Sequence, residues 1–142
     1  MRKGIIGFIF LIVFANTAIS NDVRTNFNKV FVLSVYDGDT FKVDLNCKYP
    51  VFCKKIPVRV KGIDTAEIKT KNSLEKGAAL KAKAFTQDFL NNGKVLLRNC
   101  ERDKYFRLLC DVQAGGKSLA EGLLGAGLAV PYDGGTKPKQ EY

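Results

Sequence analysis

Histidine and tryptophan are both absent from the 142 residues, and only four prolines and one methionine occur. Without imidazole, hydrolases built on a His general base or a covalent His are excluded, as are His-ligated metal sites. Any proton transfer must fall to carboxylates or to metal-bound water. Cysteine is scarce but even in number, at Cys47, Cys53, Cys100 and Cys110. Neither spacing resembles a paired C-x-x-C arrangement, which argues against a zinc site. Long apolar runs are lacking too, with one exception from Ile5 to Ala15. That run follows Met1-Arg2-Lys3 and precedes the small residues of Ala18-Ile19-Ser20, so residues 1–20 read as a signal peptide cut after Ser20. It falls short of the roughly 18 residues of a membrane span, which disfavours a permanent membrane anchor. The expectation is an exported protein, secreted or periplasmic. An even cysteine count in a small exported domain suggests two disulfides. Of the three possible pairings, Cys47 with Cys53 and Cys100 with Cys110 are favoured, because each brackets one short polar loop between apparent strands.

What is abundant is positive charge. Lys plus Arg number 23 against 14 Asp plus Glu, giving +9. Losing Arg2 and Lys3 leaves about +7, so residues 21–142, which read as one globular domain, still favour a polyanion as partner. Nothing in the pattern demands a stable protein partner, and a monomer is expected.

The hydrophobic pattern predicts strands over Lys29–Tyr36, Thr40–Leu45, Ile56–Ile63, Lys94–Arg98 and Phe106–Val112. Residues 21–28 are polar and expected to be loose. A helix is predicted from Leu74 to Asn91, with Ala78, Ala82, Phe85 and Phe89 on its apolar stripe, a capping box from Asn72 to Glu75, and Gly93 as its stop. Ser118 can cap a short second helix through Leu124. From Pro131 the chain is polar and expected to fray. The fold class is α+β, mainly β. Five short antiparallel strands with the main helix between the third and fourth match the element order of a five-stranded OB-fold barrel.

Chemistry concentrates from Val58 to Glu67. Arg59 lies on the polar face of its strand, and Asp64, Thr65 and Glu67 follow in a polar turn. Asp39, in the turn Asp37-Gly38-Asp39-Thr40, can reach the same end of the sheet. Two carboxylates and a backbone carbonyl make an incomplete cage of hard oxygens that suits Ca²⁺ and binds it weakly. Glu67 is the candidate base, and Arg59 and Arg107 are forks suited to phosphate. Five residues of extended strand would hold Arg59 about 16 Å from Asp64, so the chain must turn back after Gly62 if one phosphate is to meet both. Lys69 and Lys71 form a basic loop beside Glu67 that would attract a phosphate backbone.

Asp37-Gly38-Asp39-Thr40, Val58-Arg59 followed by Ile63-Asp64-Thr65-Ala66-Glu67, and Asp103-Lys104-Tyr105-Phe106-Arg107 resemble, in order and separation, the three signature stretches of the thermonuclease family. The resemblance spans Lys29 to Ala129. It implies an OB-fold and a Ca²⁺-dependent hydrolase of DNA and RNA that leaves 3′-phosphate ends. It assigns the metal to Asp39, Asp64 and the Thr65 carbonyl, water activation to Glu67, phosphate contacts to Arg59 and Arg107, and substrate contact to Tyr105 and its neighbour Lys104. The chain departs from the family where Ala66 replaces the usual proline, where Phe106 replaces the usual glycine, and where a longer loop carries Cys47 and Cys53. Little sequence follows Tyr132 to form the family's last helix. The competing readings are a non-catalytic OB module that binds single strands, and a basic disulfide-stapled factor for an acidic protein. Both carboxylates, the glutamate and both arginines at one site favour catalysis over either.

Overall fold

The computed structural model describes residues 25–138 and 140. The expected signal peptide therefore lies outside the described residues. Val30–Asp37 (β2) and Thr40–Leu45 (β3) form a hairpin, and Ile56–Val60 (β4) pairs antiparallel to β3 with Thr40 opposite Arg59. Alternation along β3 puts Phe41, Val43 and Leu45 in the core and leaves Lys42 exposed. The predicted single strand from Ile56 to Ile63 is broken. Gly62, at φ +81, ends β4 and starts the separate Ile63–Thr65 (β5), because that backbone region is open to glycine at little cost.

Ser73–Asn91 (α1) follows, then the hairpin of Val95–Arg102 (β6) and Leu108–Ala114 (β7). Lys117–Ser118 (β8) adds to β7, Leu119–Gly125 (α2) is the second helix, and Ala129–Pro131 (β9) pairs with β5. Thr25–Phe27 (β1), in the stretch expected to be loose, pairs with β6. The main sheet runs β1-β6-β7-β4-β3-β2, with β8 beside β7. Among the described residues the chain is thus a mixed α+β fold of nine strands and two α-helices. It departs from the expected five antiparallel strands in two respects. β4 and β7 pair in parallel, since α1 and β6 intervene between them, and the hydrogen-bonded path ends at β1 and β2 without closing a barrel.

The Asn72 side chain caps α1 by accepting from the Leu74 and Glu75 amides. The return half of the box is not made: Glu75 accepts from the Thr70 hydroxyl, and Thr70 takes the Asn72 amide. The buried stripe of α1 is Ala79, Ala82, Thr86 and Leu90, with Phe85 and Phe89 half-buried beside it, so Ala78 is not part of it. The reason is steric. α1 lies so close to the β2–β3 turn that a Cβ on Gly38 would stand 2.7 Å from Ala82 Cβ and 2.8 Å from Thr65 Cγ2. Thr86 donates its hydroxyl to the Gly38 carbonyl at 2.6 Å. Small residues on α1 and a glycine in the turn let the helix clamp the loop that carries Asp39. In α2, Ser118 accepts from the Glu121 amide, as expected of its N-cap.

Cys47 meets Cys53 across a Cα–Cα distance of 6.2 Å, and Cys100 meets Cys110 across 4.3 Å, the pairing favoured from sequence. The first pair staples the loop around the 3₁₀ turn Pro50–Phe52, and the second ties neighbouring strands β6 and β7 under the core. With loops this short, loss of either link is expected to cost about 2–3 kcal/mol. Urea melts with and without reductant check this: the midpoint should fall on reduction, while protein still folded keeps its activity. Loss of activity without loss of folding would contradict a purely structural role.

Candidate active site

The turn at Lys61-Gly62 folds β5 back along β4, and this brings Asp64 to Arg59. Arg59 Nη2 donates to Asp64 Oδ1 at 2.8 Å and to the Ile63 carbonyl at 3.1 Å, and Nη1 forms an ion pair with Asp39 Oδ2. Nη1 has no aligned hydrogen bond, so its contact with Asp39 is electrostatic. Sequence alternation assigned Arg59 to a polar face, yet it is only 7% exposed. That face is covered by the acidic turns themselves. Burial pulls the guanidinium below its ordinary value and the Asp64 charge pushes it back.

Asp39 is locked from several sides. Oδ2 accepts the Thr65 amide at 2.8 Å and the Thr65 hydroxyl at 3.0 Å, and Oδ1 accepts the Thr40 hydroxyl at 3.0 Å. The β2–β3 turn and β5, 26 residues apart in sequence, are thereby fixed to one another. Ala66 is buried, whereas Glu67 projects beyond it with a half-exposed side chain.

The third stretch is the β6–β7 hairpin. The Asp103 amide donates to the Arg107 carbonyl and the Phe106 amide to the Asp103 carbonyl, which encloses a three-residue loop. Asp103 Oδ1 accepts the Tyr105 and Arg107 amides, and its Oδ2 takes Arg107 Nε at 2.8 Å. Burial alone would raise Asp103, but hydrogen bonds from the Arg107 guanidinium and the two amides hold it below the ordinary carboxylate value. The clamp uses one edge of the Arg107 guanidinium. Arg107 also lies 5.3 Å from the centre of the Tyr105 ring, with Lys104 Nζ at 5.2 Å.

These pieces enclose a cavity of about 250 Å³. Of the residues singled out from sequence, Asp39, Arg59, Asp64, Thr65, Glu67, Lys104, Tyr105 and Arg107 all line it. Lys69 and Lys71 do not. Lys69 instead lies 5.9 Å over the Tyr36 ring, and both lysines are exposed outside the cavity. A larger cleft of about 870 Å³ adjoins it and shares Arg59, Lys104, Tyr105 and Arg107, but it contains neither acidic turn. The carboxylates and arginines singled out from sequence thus meet in the smaller space.

Three residues beside these side chains were not singled out from sequence. Asp37 lines the cavity, and its Oδ1 is buried without a hydrogen-bond partner. Burial pushes its carboxyl up, against the Arg59 charge and the Thr40 hydrogen bonds. The same turn carries Asp37 and Asp39, and turn chemistry alone does not distinguish them. Lys137 is the second. Its ammonium pairs with Glu67 Oε1 and stands 3.4 Å from Asp64 Oδ1. Burial works against the charge on Lys137, but the Glu67 hydrogen bond and both carboxylates outweigh it and raise its pKa. Gln140 also donates to Asp64, at 3.3 Å to Oδ2. The segment expected to fray is drawn onto an acidic cluster by charge, and its composition alone did not signal that.

Phe106 has φ +61 and is 80% exposed. A loop of this kind takes a left-handed residue at its last position, which glycine fills freely and other L-residues fill at about 1–2 kcal/mol. Phe106→Gly is expected to stabilise the fold by roughly that lower figure. A rise in the urea midpoint checks it, and an unchanged or lower midpoint would show that the ring supports the hairpin.

The family model described as Staphylococcal nuclease homologue matches residues 57–142. Among curated proteins, "Endonuclease YncB" of Bacillus subtilis (strain 168) is 41% identical over 96 residues, which cover 66% of this chain and 43% of the relative. "SPbeta prophage-derived endonuclease YokF" of the same organism is 40% identical over 96 residues, covering 66% of this chain and 30% of its own length. The aligned region thus spans less than half of either relative. With the match running from β4 through the acidic turn and the Arg107 hairpin to the last residue, the chain belongs to the staphylococcal nuclease homologue family.

Proposed function

We propose that this chain is an exported, Ca²⁺-dependent nuclease that hydrolyses the phosphodiester bonds of DNA and RNA with low sequence specificity and leaves 3′-phosphate ends. The observation that carries the reading is the convergence of Arg59, Arg107 and Glu67 with two aspartates on one small cavity. The two relatives that carry the name endonuclease support it. Export rests on the sequence of residues 1–20 alone. Among the described residues no helix is long and apolar enough to cross a membrane.

The donor set fits a hard divalent cation. Asp39 and Asp64 offer carboxylate oxygens and Thr65 a carbonyl, and Asp37 Oδ1 lies buried beside them without a partner. The cluster already draws two cations of the chain itself, Arg59 and Lys137. Among the described residues no three acidic or thiol side chains form a ready metal cluster, so the proposed site has two carboxylates and a carbonyl as its donors. When bound, Ca²⁺ would supply charge that polarises the phosphate and offsets the charge developing on it.

The side chains divide the remaining work. Arg107, held through Nε by Asp103, can present its terminal nitrogens to a phosphate oxygen. Arg59 contributes a second positive charge from inside the cavity. Glu67 would accept the proton of the attacking water, and Lys137 pairs with one of its two carboxylate oxygens, Oε1. Lys104 and Tyr105 extend the grip along the strand. The test is incubation with denatured DNA with and without Ca²⁺. Calcium-dependent fragments with 3′-phosphate ends are expected; binding without cleavage at any calcium concentration would leave the non-catalytic single-strand module in its place.

A further inference from the structure

We propose that the Phe106 ring is a stacking site for an unpaired nucleobase of a bound strand. The inference rests on the nuclease reading for where a polynucleotide lies. Within the fold, the ring has no evident purpose: it is 80% exposed and buries almost nothing. Its backbone sits at φ +61, where any side chain is a cost and glycine is not. The conformation is nevertheless held firmly. The Phe106 amide is bound to the Asp103 carbonyl, and its own carbonyl accepts Arg102 Nη1. A strained and exposed aromatic on a backbone held by these bonds points to an external ligand with a flat apolar face.

The neighbours select which ligand. Tyr105, the preceding residue, is 66% exposed and lines the cavity shared by Arg59 and Arg107. Lys104 and Arg107 lie on either side of this aromatic pair in sequence, and both are within 5.3 Å of the Tyr105 ring centre. The Phe106 ring lines neither cavity, so a base would meet it beyond the Tyr105 ring that the two cations flank; exposed aromatics next to phosphate-seeking cations are the composition of a single-strand path, where bases stack and the backbone tracks the charge. A duplex keeps its base faces stacked on each other and cannot use the ring.

The absence of tryptophan elsewhere in the chain makes a clean test. In Phe106→Trp all tryptophan emission comes from this position. Titration with a single-stranded oligonucleotide in calcium-free buffer should change that emission, while an abasic strand of equal length should not. By anisotropy, Phe106→Gly should bind the same oligonucleotide about tenfold more weakly, with duplex binding unchanged. Because that variant is expected to fold at least as well as the parent, lost affinity cannot be laid to misfolding. Wild-type affinity in Phe106→Gly, or a tryptophan signal indifferent to bases, overturns the stacking site alone. If the unaltered chain binds no oligonucleotide, the proposed nuclease function falls with it.

Discussion

Glu67→Ala is expected to lower turnover about 10²- to 10⁴-fold, the range of a general base, while leaving folding and substrate affinity nearly intact. The asymmetry follows from where Glu67 stands. Its side chain is 55% exposed, it joins no core cluster, and its partner Lys137 is 53% exposed. A pair so open to solvent contributes about 0–1 kcal/mol to stability. A large kinetic loss would therefore report on the reaction and not on the scaffold. Single-turnover cleavage with the protein in excess, calcium-free binding and a thermal melt together make the comparison. Turnover within tenfold of the parent would remove Glu67 from the chemistry. Lys137→Ala is a useful companion, because it frees Glu67 without deleting it. If Glu67 is the base, the double replacement should be as inactive as Glu67→Ala alone.

How much of this site could be read from residue order depends on which interactions set each part. The β2–β3 hairpin, β3 alternation, both N-cap residues and the cysteine pairing are local, and each was legible from turn chemistry, periodicity or spacing. The Arg59–Asp64 contact was legible only as a condition, that the chain turn back after Gly62, and Gly62 at φ +81 meets it. What could not be read is set by distant packing. The parallel pairing of β4 with β7 depends on how α1 crosses between them. The rotation of the α1 stripe toward Ala79 and Thr86 depends on the approach of Gly38. Lys137 reaches Glu67 across 70 residues through charge alone, and no periodicity marks such a contact. Lys69 and Lys71 are close to Glu67 in sequence, but the chain leaves the cavity after Glu67 and both lysines lie outside it.

Arg59→Ala should be the most damaging replacement, because it removes the proposed phosphate ligand and the charge that makes the acidic cluster tolerable. The side chains of Arg59, Asp39 and Asp64 are 9%, 6% and 5% exposed, so water cannot take over the lost interaction. Deleting one partner of a buried ion pair costs about 3–5 kcal/mol, on the order of 10–20 °C in Tm for a domain of this size. Asp37 adds to the penalty, since the Arg59 charge also offsets its burial. Stability and chemistry can be separated with Arg59→Lys. An ammonium restores one positive charge but cannot fork between Asp39 and Asp64 or grip two phosphate oxygens. Most of the lost Tm should return in Arg59→Lys while turnover stays low. Added Ca²⁺ should raise the Tm of Arg59→Ala more than that of the parent, because the cation then meets carboxylates that no guanidinium occupies. An Arg59→Ala protein that melts with the parent would show that the buried pair is not what holds the acidic turns. Full turnover in Arg59→Lys would show that the planar fork is dispensable.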